Sequence, residues 1–164
     1  MTHLDNSPHP VITFPRVRVA DMNDLDHIMV LSREVHAENG LHELDERKVI
    51  PEMTRALIGD GAFIGVIGPV GALEAMIYLG VRTFWYTSTP HLEEQVNYVR
   101  PQFRRTRNAV ALIEYAKACA TQLELPLLIS VLSTERTREK IKLYKRRLGE
   151  PSGAYFLYNG KTGQ

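Results

Sequence analysis

Residues 97–109 read Asn-Tyr-Val-Arg-Pro-Gln-Phe-Arg-Arg-Thr-Arg-Asn-Ala and run straight into an apolar stretch with helical period. The first N–H groups of a helix have no intrahelical acceptor, and the helix start carries a partial positive charge. A strand that turns through a basic loop onto such a start is suited to an anion, and a diphosphate fits best. Arg100, Arg104, Arg105 and Arg107 reinforce that reading. Other reactive residue types do not converge. The six histidines (3, 9, 27, 36, 42 and 91) lack metal-ligand spacing, so no metal is expected, and His36 with His42 flanks an acceptor cleft or nothing. Cys119 lies among alanines on the helix after the loop, where a small buried filler is the simpler role than a nucleophile. Seven Lys/Arg between Arg136 and Arg147 form a basic helix, read first as a solvated face.

The elements that must position these residues follow from periodicity. Arg16 to Ala20 alternates as a first strand. Asp21 sits at an N-cap position before Met22, Leu25, Ile28, Met29, Leu31 and Val35, and Asn39-Gly40 ends that helix. A second helix starts near Asp45 and stops at Gly59-Asp60-Gly61. Ala62–Ile67 and Ala72–Phe84 read as strands joined by the turn Gly68-Pro69-Val70-Gly71. A strand from about Glu93 to Val99 feeds the basic loop. The next helix shows Ala109, Leu112, Ile113, Ala116, Ala120 and Leu123 on one face. The apolar run Leu127–Leu132 reads as a buried parallel strand. A last helix near Arg136–Leu148 and a final strand, Ala154–Tyr158, complete the order β-α-α-β-β-β-α-β-α-β. This is an α/β (α+β) protein with a mixed central sheet and helices on both faces, not a doubly wound nucleotide fold.

Composition sets the outer bounds. The chain has 164 residues, 44% hydrophobic and 24% charged, as in a soluble globular protein. The expected organisation is a tail over 1–13 and a single domain over 14–160. No secretory leader or membrane-length apolar run is visible, which places the chain in the cytoplasm by default. One cysteine excludes an internal disulfide. The net charge of +1 hides a split: residues 1–60 hold 6 Lys/Arg against 11 Asp/Glu, and the rest hold 14 against 8. An acidic side for one ligand and a basic side for another would follow.

Two segments carry a family resemblance. Tyr98-Val99-Arg100-Pro101-Gln102-Phe103-Arg104 followed by Arg105-Thr106-Arg107-Asn108-Ala109 resembles the strand end and (Q/R)-x-x-G-x-(G/A) pyrophosphate loop of the GNAT superfamily, the acyl-CoA-dependent N-acyltransferases. Leu143-Tyr144 on the last helix is similar to that family's Leu-Tyr. The element order from Arg16 to Tyr158 agrees. Arg107 stands where the family usually has Gly, Thr137 where it often has Asn, and Lys140 where it often has Ala.

The resemblance implies an acetyltransferase that moves an acetyl group from acetyl-CoA, its co-substrate, to a primary amine by direct attack in a ternary complex. It assigns the cofactor contacts to Tyr98, Val99, Arg104, Arg105, Thr106, Arg107, Asn108, Ala109 and Thr137. Val99 would offer an N–H to the thioester carbonyl. Tyr144 would be the general acid that protonates the departing thiolate. Glu93 and Glu94 are both candidates for the base. In a regular strand Glu94 shares a face with Val96 and Tyr98, and Glu93 with Gln95, Asn97 and Val99; a bulge would reverse this. The acceptor pocket would be walled by the first two helices and the Phe84–His91 connection, and the acidic first half suits a cationic amine, small or protein-borne. The basic helix would contact a CoA phosphate or a nucleic-acid acceptor, the latter disfavoured because no aromatics interleave its charges. A non-catalytic CoA-binding or basic interaction module on the same fold is the competing reading. Relatives that pair as dimers make a homodimer through the last strand an open expectation.

Overall fold

The computed structural model describes residues 14–133, 136–156 and 158. Five strands form one mixed sheet in chain order: β1 (Arg18–Val19), β2 (Ala62–Ile67), β3 (Ala75–Thr83), β4 (Pro90–Val99) and β5 (Leu127–Leu128). The first four pair antiparallel, and β5 joins β4 in parallel after the crossover through helix α3 (Asn108–Leu123). Helices α1 (Leu25–Asn39) and α2 (Glu46–Leu57) cover one face. Helix α3 covers the other. Helix α4 (Thr137–Leu148) lies beside α3, with Arg147 reaching Glu114 at 4.0 Å.

Local chemistry explains the starts and stops. Asp21 accepts from the Asn23 N–H at 2.8 Å, and Asp24 returns the bond to the Asp21 N–H at 3.1 Å, a capping box ahead of α1. Asp45 caps α2 through the Arg47 N–H at 3.1 Å. Glu124 closes α3 in the left-handed region, φ 55°. Every residue of β2 is buried, because its two faces meet separate apolar clusters. Ile64 and Val66 pack toward α1 and α2, and Phe63 and Ile67 toward α3.

Gly65 in β2 is required by packing. A Cβ there would stand 2.5 Å from the Tyr115 ring of α3. Gly65→Ala should therefore cost about 1–3 kcal/mol by overpacking. A thermal melt unchanged by the substitution would show that Tyr115 can retreat at no cost.

Three expectations are revised. The parallel strand predicted over Leu127–Leu132 is two residues long and only half-buried, because the chain leaves β4 after Leu128. Tyr155, Phe156 and Tyr158 are exposed and the described residues of the predicted final strand form none; Leu157 and the tail over 1–13 lie outside the described residues. The first strand contracts to Arg18–Val19.

Candidate active site

Strand β4 carries an extra residue. Tyr78 pairs with Val96 but Leu79 pairs with Glu94, so Gln95 bulges out. The bulge reverses the faces expected of a regular strand. Glu94, opposite Leu79, joins Asn97 and Val99 on the α3 side, while Glu93, opposite Gly80, turns to the other side. Glu93 ends 3.5 Å from the His91 ring. Glu94 instead enters a cavity of about 210 Å³ lined also by His36, Asn39, Asn97, Lys140 and Tyr144.

Burial dominates the electrostatics of that cavity. It pushes the Glu94 carboxyl up to about 7, against the Lys140 charge and a backbone hydrogen bond from Ser130, with Glu93 adding to the rise. One carboxylate oxygen, Oε2, has no hydrogen-bond partner among the described residues. Burial also lowers the Lys140 ammonium, although Glu94 and Glu38 oppose the shift. The Tyr144 hydroxyl is held well above the ordinary phenol range, by burial first and then by the Glu94 charge. Its oxygen accepts from Asn97 Nδ2 at 3.2 Å.

A second groove, of about 150 Å³, runs between the end of β4 and α4. It brings together Tyr98, Val99, Arg104, Ala109 and Tyr144 from the residues singled out in the sequence. The Arg100 N–H donates to the Glu74 carbonyl of the neighbouring chain segment at 3.0 Å, so the Val99 N–H, one residue earlier, lies on the opposite edge of β4. Among the described residues that edge is open here, because β5 pairs only with Leu92 and Glu93. At the start of α3, Ala111 is the first N–H to reach back, to the Arg107 carbonyl at 2.9 Å. The N–H groups of Ala109 and Val110 precede it and have no intrahelical acceptor.

The four loop arginines separate into two pairs. Arg100 forks onto Glu34 at 2.8 and 3.0 Å and donates to the Leu73 carbonyl at 2.9 Å. Arg104 pairs with Glu38 and donates to the Val99 carbonyl at 2.9 Å. Both therefore fasten β4 and its loop to α1. Arg105 and Arg107 remain exposed. The backbone at Arg107 has φ −85°, ψ 8°, which any L-residue adopts, so the loop does not require the glycine usual in the family. Thr106 folds its hydroxyl onto the Phe103 carbonyl at 2.6 Å, and the same oxygen accepts from the Asn108 N–H at 3.2 Å. The Asn108 side chain is buried between Glu74 (2.7 Å) and Arg16 (3.0 Å), which anchors the start of α3. Thr137 turns back to the Ser133 carbonyl and is not part of the groove lining.

One other expectation changes. Helix α2 and the Phe84–His91 connection contribute nothing to the cavity lining; the C-terminal end of α1 does. That connection instead holds its own ring stack, with Phe84 on Tyr86 at 5.5 Å and on His91 at 4.4 Å. Cys119 is buried and its thiol is pushed up to about 11 by burial, in keeping with a filler. Lys140 was not singled out as a site residue. Its spacing of four from Tyr144, which puts both on one helix face, was the available signal.

No family model matches the chain, and no curated protein does. Solved structures do match. A possible acetyltransferase from Clostridium difficile 630 has a TM-score of 0.67 at 19% identity, over 90% of this chain and 97% of that one. AAC(6')-Iy, in complex with the bisubstrate analog CoA-S-monomethyl-acetylneamine, has a TM-score of 0.67 at 17% identity, over 89% and 97%. The aminoglycoside antibiotic 6'-N-acetyltransferase AAC(6')-IG from Acinetobacter haemolyticus has a TM-score of 0.62 at 20% identity, over 90% and 99%. No described helix is long and apolar enough to cross a membrane. The chain has the GNAT fold, shared with these acetyltransferases.

Proposed function

We propose that this chain is an acetyl-CoA-dependent N-acetyltransferase acting on a primary amine. The observation that carries the reading is the meeting of two chambers at Tyr144. One contains a buried carboxylate and the other runs from an open strand edge to a helix start. Acetyl-CoA, when bound, supplies an activated acyl thioester. The residues present suit such a donor: the unpaired N–H groups of Ala109 and Val110 and the exposed Arg105 and Arg107 offer an anion site, and the Val99 edge offers amide pairing. The 3′-phosphate would fall to the basic α4.

Glu94, rather than Glu93, is the base. A carboxyl that titrates near 7 is partly ionised at neutral pH and still basic enough to take a proton from an ammonium acceptor. Tyr144 keeps its proton throughout the working range and so remains a donor at the end of the groove. The Val99 N–H is placed to stabilise charge on a carbonyl oxygen. Asn97 holds the Tyr144 hydroxyl at the boundary between the chambers. A cationic primary amine, small or protein-borne, fits a chamber whose buried anion is Glu94.

The test is a thermal melt with and without acetyl-CoA, combined with Tyr144→Phe. Acetyl-CoA should raise the melting temperature of both proteins by a similar amount, since binding only to the folded state stabilises it. Turnover of an amine panel should fall roughly 100-fold in the variant. Loss of the thermal shift in Tyr144→Phe would make this tyrosine structural instead of an acid.

A further inference from the structure

The two chambers share three side chains in their linings: Asn97, Tyr144 and Lys140. Asn97 and Tyr144 are hydrogen-bonded to each other. The third is a primary amine. Lys140 stands one helical turn before Tyr144 on the same face of α4, and it lines both chambers beside that tyrosine. The geometry points to Lys140 as an acyl acceptor in its own right, a self-acetylation site of this chain. This inference rests on the transferase reading above.

The charges around Lys140 suit the chemistry. Glu94 faces it from β4, Glu38 from α1, Arg104 from the loop and Arg136 from its own helix. Burial and the two arginines favour the neutral, nucleophilic amine, and Glu94 is the nearby carboxylate that can receive a proton. In the step, the Nζ lone pair forms a bond to the thioester carbonyl carbon and the C–S bond breaks. The thiolate takes the Tyr144 proton, and Glu94 takes the proton lost by nitrogen. The products are an N-acetyl-lysine and a free thiol, and no oxidant or reductant is needed. Exposed lysines such as Lys142, two residues along the same helix, have no such surroundings. Acetylated Lys140 would remove the cation that holds Glu94 down, and would add bulk where the chambers meet.

The experiment incubates the full chain at pH 8 with acetyl-CoA and no acceptor, and separately with p-nitrophenyl acetate. Peptide mass mapping then compares Lys140 with Lys142. The expected result is acetyl on Lys140 roughly tenfold or more faster than on Lys142 with either donor. Lys140→Arg should remove that label while leaving the slower label on Lys142. Labelling of Lys142 at the same or a higher rate overturns the proposal. A melting shift without label on Lys140 overturns self-acetylation alone. Absence of both shift and label overturns the transferase reading as well.

Discussion

Glu94→Gln is expected to yield a protein that has lost most of its turnover and melts higher above pH 7. The carboxyl moves from an ordinary 4.5 to about 7 in the fold because burial penalises its charge. Between those values the folded chain holds a proton that the unfolded chain has released. Stability therefore falls as pH rises from about 4.5 to about 7, and the full cost persists above that. A shift of 7 − 4.5 units corresponds to about 3 kcal/mol. Glutamine keeps the shape and cannot ionise, so the variant should gain up to that amount at pH 8 and nothing near pH 4. For a chain of this size the gain is a rise of roughly 6–10 °C. The wild-type kcat/KM should climb with pH through about 7, and the variant should lie roughly 100-fold or more below it. Melts at pH 4, 6 and 8 beside a pH–rate profile test both halves. A variant that is less stable than wild type at pH 8, or that retains turnover, would rule out Glu94 as the buried base.

Asp24→Ala is expected to cause the largest loss of stability of the substitutions considered. The Asp24 side chain is fully buried, accepts from both Arg18 Nη nitrogens at 2.7 Å, and accepts from the Asp21 N–H. Arg18 also reaches the Gly68 carbonyl at 3.2 Å, so a single carboxylate joins β1, the start of α1 and the β2–β3 turn. Burial alone would raise the Asp24 carboxyl, but the Arg18 and Asp21 hydrogen bonds outweigh it and hold the carboxyl below its usual range. This contribution is present above the unfolded-state value near 4 and is lost as pH falls through the lower folded one. Removing one partner of a buried pair costs about 3–5 kcal/mol. The Arg18 side chain is 37% exposed and recovers some water, which places the loss near 3. Denaturant melts at pH 7 should show it, and at pH 2 the gap between variant and wild type should narrow. A midpoint unchanged at pH 7 would mean that the pair is energetically idle.

Capping and periodicity made the elements legible. Asp21 caps where an N-cap is expected, α2 starts at the expected Asp45, and Gly68–Gly71 is the turn between β2 and β3. The aromatic-rich end was misread. Ala154–Tyr158 has strand-forming residues, but no described residue there pairs with the sheet, since pairing depends on a partner edge that local composition does not encode. Leu127–Leu132 was read at full length for the same reason. Within the site, Tyr144, Tyr98, Val99 and Ala109 line one groove. The arginines do not behave as one cluster, because Glu34 and Glu38 claim two of them from a helix more than sixty residues away. Ion-pair partners at that separation leave no trace in spacing. Lys140 is legible only as a departure from the family pattern, because one lysine among seven basic residues on a helix looks solvated until its neighbours are known.

The bulge at Gln95 makes the placement of the base a matter of parity. The half of β4 that carries Glu94 and the half that carries Tyr98 are rotated out of phase by one inserted residue. Substitution at Gln95 leaves that phase intact, whatever the side chain. A one-residue deletion there would remove the bulge and keep Glu94 opposite Leu79 at the cavity, whereas regular pairing of Gln95 with Leu79 would turn Glu94 to the other face. In this sheet, the pairing register of one strand is a functional variable separate from residue identity. Homologous strands that lack this one residue would be expected to keep the same side chain for the task.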